Sequence, residues 1–171
     1  MKIELKKLNA LQHAVLPFSE VIDLKDEKMY GRKPFQSPVY VEGEVSNESG
    51  VLRLKGSIKT VYSTECARCL KPLDIPLEAE ADMILSDDPE AEEEDDLFVL
   101  TGDSVDPADV LVPALILQVQ MTYLCKEDCK GLCPHCGADR NVTDCDCDKK
   151  QIDPRFAALR ALLDSDEDKS T

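Results

Sequence analysis

Eight cysteines in four close pairs constrain this 171-residue chain more than any other feature of its sequence. Two thiolates separated by two residues in a tight turn can each occupy one vertex of a metal tetrahedron. The pairing therefore predicts that a cysteine-ligated metal ion organises the C-terminal third of the chain. The pairs, spaced CxxC, CxxxC, CxxC and CxC, are Cys66 and Cys69, Cys125 and Cys129, Cys133 and Cys136, and Cys145 and Cys147.

The cellular compartment decides whether such cysteines form disulfides or bind metal. The N-terminus, MKIELKKLNAL, alternates charged and apolar residues and has no continuous apolar stretch, so it does not read as a signal peptide. No apolar run approaches the roughly 20 residues that a membrane span needs. We therefore expect a soluble cytoplasmic protein with no membrane partner. In that reducing compartment clustered cysteines bind metal or do redox chemistry.

Alternation of apolar and polar residues predicts an antiparallel, barrel-like sheet in the first half of the chain. We expect strands at Lys2–Leu8, at Val39–Val45, over Leu52–Ile58 and after Pro72. The pair Cys66-Ala-Arg-Cys69 then lies at a turn between two strands.

The turn chemistry of residues 46–50 predicts a hairpin between the second and third of these strands. If the turn closes symmetrically, Glu44 pairs with Arg53 and Glu42 pairs with Lys55. Opposite charges across an antiparallel pair contribute roughly 0.2–1 kcal/mol each. The basic residues of this strand are therefore explained by cross-strand pairing as well as by a binding surface.

Two helices are expected in the second half. Asp106-Pro107 is a helix start, with a capping side chain followed by proline at the first helical position. The stretch Val110–Met121 is apolar on nearly all sides, which predicts a buried helix. A final helix is expected after Asp153, with an apolar face formed by Phe156, Leu159 and Leu163.

The fold class that we predict is α+β. The run Asp87–Asp96 holds eight acidic residues in ten and should stay solvated. We therefore predict a β-rich domain at 1–86, an acidic linker at 87–104, and a helix with a cysteine-rich zinc module at 105–171.

The last four cysteines form a compact local set. The run Cys133-Pro-His-Cys136-Gly137 has the form of a zinc knuckle, in which the glycine lets backbone N–H groups approach the sulfurs. Cys145 and Cys147 follow after eight intervening residues and complete four thiolates. Zinc prefers such a tetrahedral set of soft ligands.

The other four cysteines leave two arrangements open, so we expect one or two structural zinc ions. In the first, Cys66, Cys69, Cys125 and Cys129 bind a second zinc ion, and eight thiols fill two closed sites. In the second, one zinc ion is bound by four of the cysteines between Cys125 and Cys147, and Cys66 and Cys69 stay free.

Redox and catalytic chemistry fit the sequence less well. Dithiols of the thioredoxin type lie at a helix N-terminus, whereas Cys69 is followed by Leu-Lys-Pro and a strand. The two histidines, His13 and His135, belong to no HExxH motif, and no phosphate-binding loop is present. We expect no enzymatic activity and no small-molecule substrate. A thiol-redox or metal-handling protein is the alternative.

The order of motifs along the chain resembles the bacterial YceD family, whose members are described as large ribosomal RNA subunit accumulation proteins. The resemblance spans nearly the whole chain. It implies a role in accumulation or processing of the large-subunit (23S) ribosomal RNA, hence in ribosome biogenesis, with no defined catalytic residues. It rests on Cys66-Ala-Arg-Cys69-Leu-Lys-Pro, the acidic stretch, the helix from Asp106 to Leu117, Cys129-Lys-Gly-Leu-Cys133-Pro-His-Cys136-Gly, and Ile152-Asp-Pro-Arg-Phe-Ala-Ala-Leu159.

The charge distribution limits how such a protein meets RNA. The net charge is −15, yet residues 1–73 carry 12 Lys and Arg against 9 Asp and Glu. An acidic chain repels phosphate backbones at long range, so any RNA contact must use this N-terminal half. The candidate residues for binding RNA or a partner are Arg32, Lys33, Lys59, Arg68 and Lys71.

Two further partner hypotheses remain open. The acidic half could hold a basic ribosomal protein, a protein-assisted mode that the net charge favours over pure RNA binding. A zinc-ribbon adaptor of another RNA machine is a further alternative.

Overall fold

The computed structural model describes residues 1–9, 13–88 and 96–147. The chain forms two compact units: one is Met1–Cys129 and the other begins at Lys130. The first unit contains the sheet together with the second helix, and the domain bounds inferred from composition stay a prediction. The final helix expected after Asp153 and most of the acidic run lie outside the described residues.

The first unit is a five-stranded sheet with a helix packed on it, which confirms the α+β class. The sheet has the order β2-β3-β4-β5-β6; its pairs are antiparallel, except that β6 lies parallel to β5. A separate two-stranded pair joins β1 to β7. The elements are β1 (Ile3–Glu4), α1 (Lys6–Asn9), β2 (Val15–Ile22), β3 (Val39–Glu48), β4 (Val51–Glu65), β5 (Pro72–Ser86), β6 (Leu97–Val99), β7 (Ser104–Val105) and α2 (Pro107–Leu117).

The strand predicted over Lys2–Leu8 is wrong beyond its first residues. Only Ile3–Glu4 forms a strand, and the chain then turns into α1. Leu5 and Leu8 are both buried, and residues three apart share one face of a helical turn, whereas a strand would point them to opposite faces. Packing of these two side chains under the sheet decides between the two conformations.

The predicted hairpin forms, but its register differs by two residues. The turn contains only Ser49 and Gly50, both with positive φ, so β3 continues to Glu48 and Glu44 pairs with Lys55. The buried Asn47 side chain supports the extended β3 through two hydrogen bonds. Its amide donates to the Leu8 carbonyl at 2.8 Å and its oxygen accepts from the Gly50 N–H at 2.8 Å.

The acidic partners of the basic strand come mainly from β5 instead of β3. Lys59 Nζ lies 2.9 Å from a Glu78 carboxylate oxygen and 3.9 Å from one of Glu42. Arg53 contacts Asp82 at 3.3 Å. Cross-strand pairing therefore explains these cations, although the pairs are different from those predicted.

Helix α2 begins as predicted and ends at Leu117, as the family resemblance implied, and not at the end of the apolar run at Met121. The Asp106 side chain accepts from the Ala108 N–H, and the helix stops at Leu117. Leu111 and Leu115 are fully buried against the sheet, whereas Leu117 is 83% exposed and Met121 is 92% exposed. The expectation of a helix buried on nearly all sides is therefore wrong, because the sheet covers only one of its faces.

The helix approaches the sheet closely because two glycines face each other across β3 and β4. Gly43 pairs with Gly56, and a Cβ at Gly43 would overlap the Lys55 carbonyl oxygen. The rings and methyl groups of Phe18 and Leu111 fill the space that side chains would occupy. No helix within the described residues is long and apolar enough to cross a membrane.

Candidate metal centres

The first candidate metal centre joins two distant parts of the first unit. Cys66 and Cys69 lie in the turn between β4 and β5, and Cys125 and Cys129 follow α2. The four Sγ atoms all lie within 4.8 Å of one another, with 3.8 Å between Cys66 and Cys129 and 3.6 Å between Cys69 and Cys125. A metal–sulfur distance of about 2.3 Å in a regular tetrahedron places sulfurs about 3.8 Å apart, so this set could hold a metal ion.

The second candidate metal centre lies in the unit that begins at Lys130. Its four Sγ atoms also lie within 4.8 Å of one another. Its members are Cys133, Cys136, Cys145 and Cys147. We call these two groups the first and the second cysteine cluster. Among the described residues they are the groups whose side chains converge as metal ligands would.

The CxxC turns of the two clusters have the same hydrogen bonds. The Leu70 N–H donates to the Cys66 carbonyl at 2.9 Å, and the Gly137 N–H donates to the Cys133 carbonyl at 2.9 Å. The Cys66 N–H also donates to the Lys71 carbonyl, and the Cys133 N–H donates to the Ala138 carbonyl, both at 2.8 Å. The turn around Cys66 is therefore a knuckle of the kind that the sequence predicted only around Cys133.

The residue after each second cysteine has a left-handed backbone. Gly137 has a φ of 73° and Leu70 a φ of 59°. Glycine adopts this conformation freely, whereas a leucine is strained by its Cβ. The first knuckle keeps its geometry in spite of that strain, which indicates that its surroundings fix it.

The thiols of each cluster cannot all ionise without a cation. Burial opposes ionisation of Cys66, but hydrogen bonds from the backbone of Cys125, Cys69 and Arg68 outweigh it and lower the pKa to about 6. Burial and then the neighbouring thiols raise the pKa of Cys125 to about 12. The Cys66 thiolate therefore forms readily, whereas ionisation of Cys125 needs an added positive charge, which is the behaviour expected of a metal site.

The second cluster follows the same pattern. Backbone hydrogen bonds from Cys136 and His135 lower the pKa of Cys133 to about 6 in spite of its burial. The Cys136 side chain and then burial raise the pKa of Cys147 to about 12. The ring of His135 does not belong to the cluster, in which four sulfurs already converge.

The two clusters differ in burial. Cys66, Cys69 and Cys129 are buried and Cys125 is half-buried. In the second cluster only Cys133 is buried, and Cys136 is exposed. Solvent therefore reaches the second set of sulfurs more easily than the first.

Arg68 has a local role that its charge did not predict. Its guanidinium donates to the Cys129 carbonyl at 2.9 Å and to the Glu127 carbonyl at 3.3 Å. The neighbouring Ala67 N–H donates to the Tyr123 carbonyl at 2.9 Å. These bonds hold the segment that contains Cys125 and Cys129 against the first knuckle. The position of an arginine inside a CxxC turn was the only signal for this role in the sequence.

Three of the other four predicted binding cations, Arg32, Lys33 and Lys59, have acidic neighbours. Arg32 contacts Glu65 at 2.8 Å, and Lys33 contacts the fully exposed Asp26 at 2.8 Å. Lys59 lies between acidic residues on the sheet, as described above. The Lys71 carbonyl accepts the Cys66 N–H of the first knuckle. Their role in binding RNA or a partner stays a prediction.

A family model described as "Large ribosomal RNA subunit accumulation protein YceD" matches residues 54–163 of this chain. A Bacillus subtilis protein, "Uncharacterized protein YlbN", is 26% identical over 98% of this chain and 99% of its own length. The maize protein "Large ribosomal RNA subunit accumulation protein YCED homolog 1, chloroplastic" is 28% identical over 71% of this chain, which spans 52% of that protein. An uncharacterised protein of Mycobacterium tuberculosis is 30% identical over 72% of this chain and 60% of its own length. No solved structure matches the chain.

Proposed function

This chain belongs to the YceD family, and we propose from that premise that it supports accumulation of the large-subunit ribosomal RNA as a non-enzymatic assembly factor. The observation that supports this most is the family match over residues 54–163, which includes all eight cysteines. The printed name of the maize relative refers to the same process. The place of action that we propose is the cytoplasm.

We further propose that each cysteine cluster binds one structural zinc ion. Four thiolates close the coordination sphere of zinc, so no position stays open for water or substrate. The grouping of Cys66 and Cys69 with Cys125 and Cys129 favours two ions over the single-ion alternative. Bound zinc would supply folding free energy and would cross-link the segments that bear its ligands.

Metal content per chain tests this part of the proposal. Protein purified under reducing conditions should contain two zinc ions, and Cys69→Ser or Cys136→Ser should each remove one. A thiol reagent should label few cysteines until a chelator is added. Immediate labelling of a pair in the metal-loaded protein would instead support the thiol-redox alternative.

The cellular function is tested by depletion. Loss of the protein should lower the ratio of large- to small-subunit ribosomal RNA, and the wild-type chain should restore it. The double variant Cys69→Ser, Cys136→Ser should fail to restore the ratio. The two single variants then show which cluster the function requires. An unchanged ratio after complete depletion would refute the proposed function.

The partner is the finer part of the proposal. We propose contact with the large-subunit RNA precursor or with a basic ribosomal protein. The acidic half of the chain is complementary in charge to the basic protein. Capture of the tagged protein, followed by RNA sequencing and mass spectrometry, separates the two. Recovery of another RNA machine would favour the adaptor alternative.

A further inference from the structure

A groove in the first unit lies beside the first cysteine cluster. It encloses about 200 Å³ between the turn at residues 29–32, the end of β4 and the segment after α2. Its base is a pair of tyrosine rings, Tyr62 and Tyr123, with centroids 5.6 Å apart. Tyr30 and Met121 line it as well, and they are 79% and 92% exposed. The groove therefore offers apolar and aromatic surface that the described part of the fold leaves open.

Tyr30 occupies a turn position that suits a different residue. It has a φ of 51°, and Gly31 after it has a φ of 78°. The turn is closed by hydrogen bonds from the Met29 N–H to the Arg32 carbonyl at 2.9 Å and back at 3.0 Å. Two-residue turns of this kind favour asparagine before glycine, because asparagine tolerates a positive φ and a bulky ring does not. The chain thus holds an exposed aromatic ring at a conformational cost.

The segments that form the groove carry more cations than carboxylates in an acidic chain, and the charged residues that line the groove itself, Arg32 and Glu65, form an ion pair at 2.8 Å. The segments 28–34, 62–71 and 120–123 contain five cations and one carboxylate, Glu65, although the whole chain has a net charge of −15. Four of the five cations belong to the set proposed from sequence. The five are Lys28, Arg32, Lys33, Arg68 and Lys71.

We propose that this groove binds an unpaired base of RNA, stacked on Tyr30 with the Arg32 guanidinium beside it. The proposal rests on the proposed function and names the place and the kind of contact. Every base has a flat π-face, so aromatic rings and arginine bind single-stranded RNA with little sequence preference. The neutral side chains of Gln120 and Thr122 line the same groove and can donate to or accept from base edges. A positive surround attracts the phosphates that flank the base.

The choice of RNA over a peptide follows from the same features. A basic protein segment would be repelled by the cations of the segments that flank the groove, and it would bind the acidic half of the chain instead. Duplex RNA keeps its bases stacked inside the helix, so exposed rings cannot reach them. The groove therefore selects single-stranded loops, bulges or ends.

Binding of a short fluorescent single-stranded RNA to the full metal-loaded chain tests the proposal. Tyr30→Asn removes the ring and gives the turn a residue that it favours, so the variant should fold at least as stably as wild type. Its affinity for the RNA should fall about five- to one-hundred-fold, the usual loss for one stacked base. Tyr30→Phe should stay within about twofold, because the ring is kept.

Tyr40→Asn is the matched control. Tyr40 is also exposed, at 57%, but it lies on β3 away from the residues that line the groove. The control should bind the RNA as wild type does. The same RNA annealed to its complement should bind more weakly than the single strand.

Three results would overturn the proposal. The first is that Tyr30→Asn and wild type bind the RNA with equal affinity. The second is that the wild-type chain binds duplex and single-stranded RNA equally well. The third is that RNA does not bind and that a captured protein partner binds in a manner that depends on Tyr30. The proposed function fails separately, through an unchanged ribosomal RNA ratio on depletion. A Tyr30→Asn chain that restores that ratio and binds RNA normally would refute the groove alone.

Discussion

Replacing Arg68 by methionine should weaken metal binding at the first cysteine cluster about tenfold. Methionine keeps an apolar stem of similar length and removes the guanidinium that donates to the Cys129 and Glu127 carbonyls. A hydrogen bond to a charged group contributes roughly 1.5–3 kcal/mol. Because Arg68 is exposed and the bond to Glu127 is long, about 1.5 kcal/mol is the appropriate total, and that corresponds to about a factor of ten in affinity.

Chelator competition on the full-length chain measures this effect. Metal loss from each cluster is followed as the chelator concentration rises, and the cluster is assigned with Cys69→Ser and Cys136→Ser. The second cluster should behave as in wild type, because Arg68 belongs to the other unit. Lys71→Met removes a neighbouring cation and is the matched control, with affinity within about twofold of wild type.

The result that would refute this reasoning is unchanged affinity of the first cluster in the Arg68→Met chain. The carbonyl contacts would then add nothing to the preorganisation of the ligands. Arg68 would return to the set of cations whose only proposed role is to bind RNA or a partner. Arg68→Lys should recover only part of the loss, since an ammonium lacks the planar fork of the guanidinium.

Three other changes follow from the described contacts. Gly43→Ala should lower the free energy of unfolding, measured in urea, by about 3 kcal/mol, because the new Cβ would overlap the backbone of β4. Gly102→Ala is the control: a Cβ there has open space, so the free energy of unfolding should change by less than about 1 kcal/mol. Equal effects of the two substitutions would contradict this explanation. Gly137→Ala should lower the metal affinity of the second cluster about five- to thirty-fold, because alanine is strained in the left-handed backbone conformation of this position. Gly137→Asn should lower the affinity less. A larger loss for asparagine than for alanine in chelator competition would contradict this reasoning. Lys59→Met should leave association with large-subunit precursors unchanged, because Lys59 is not among the residues that line the groove and is paired with Glu78; loss of co-sedimentation would instead support the binding role predicted for Lys59 from the sequence.

Strand and helix positions were predictable where the local pattern agreed with the tertiary environment. The inward faces of β4 and β5 follow the alternation of Leu52, Leu54 and Leu77, Ala79, which are all buried. The start of α2 at Pro107 follows from its capping aspartate. These features depend on residues close in sequence, so the sequence is sufficient for them.

The errors arose where distant contacts decide. Burial of both Leu5 and Leu8 goes with a helical turn in place of the expected strand, and the buried Asn47 at the end of β3 donates to the Leu8 carbonyl, 39 positions away along the chain. Which face of α2 is buried depends on the strands that it packs against. None of these is visible in a single stretch of residues.

The candidate sites divide in the same way. Cysteine spacing predicted the second cluster directly, whereas the first needs the fold to bring residues 66–69 and 125–129 together. The tyrosine groove was missed because its walls come from three separate segments. A Tyr-Gly pair in a turn was its one local signal, and charge counting alone does not reveal it.

The distance along the chain between the ligands of the first cluster has a consequence for biosynthesis. Within the first cluster, Cys66 contacts Cys129 and Cys69 contacts Cys125, and these partners are 63 and 56 positions apart in the sequence. All four ligands of the second cluster lie between Cys133 and Cys147. Closing a loop of that greater length costs about 4 kcal/mol of chain entropy, against about 3 kcal/mol for the shorter one. The first cluster cannot close until Cys129 has left the translating ribosome and the intervening strands are available. Metal acquired there marks a chain whose sheet is already assembled, and metal in the second cluster carries no such information.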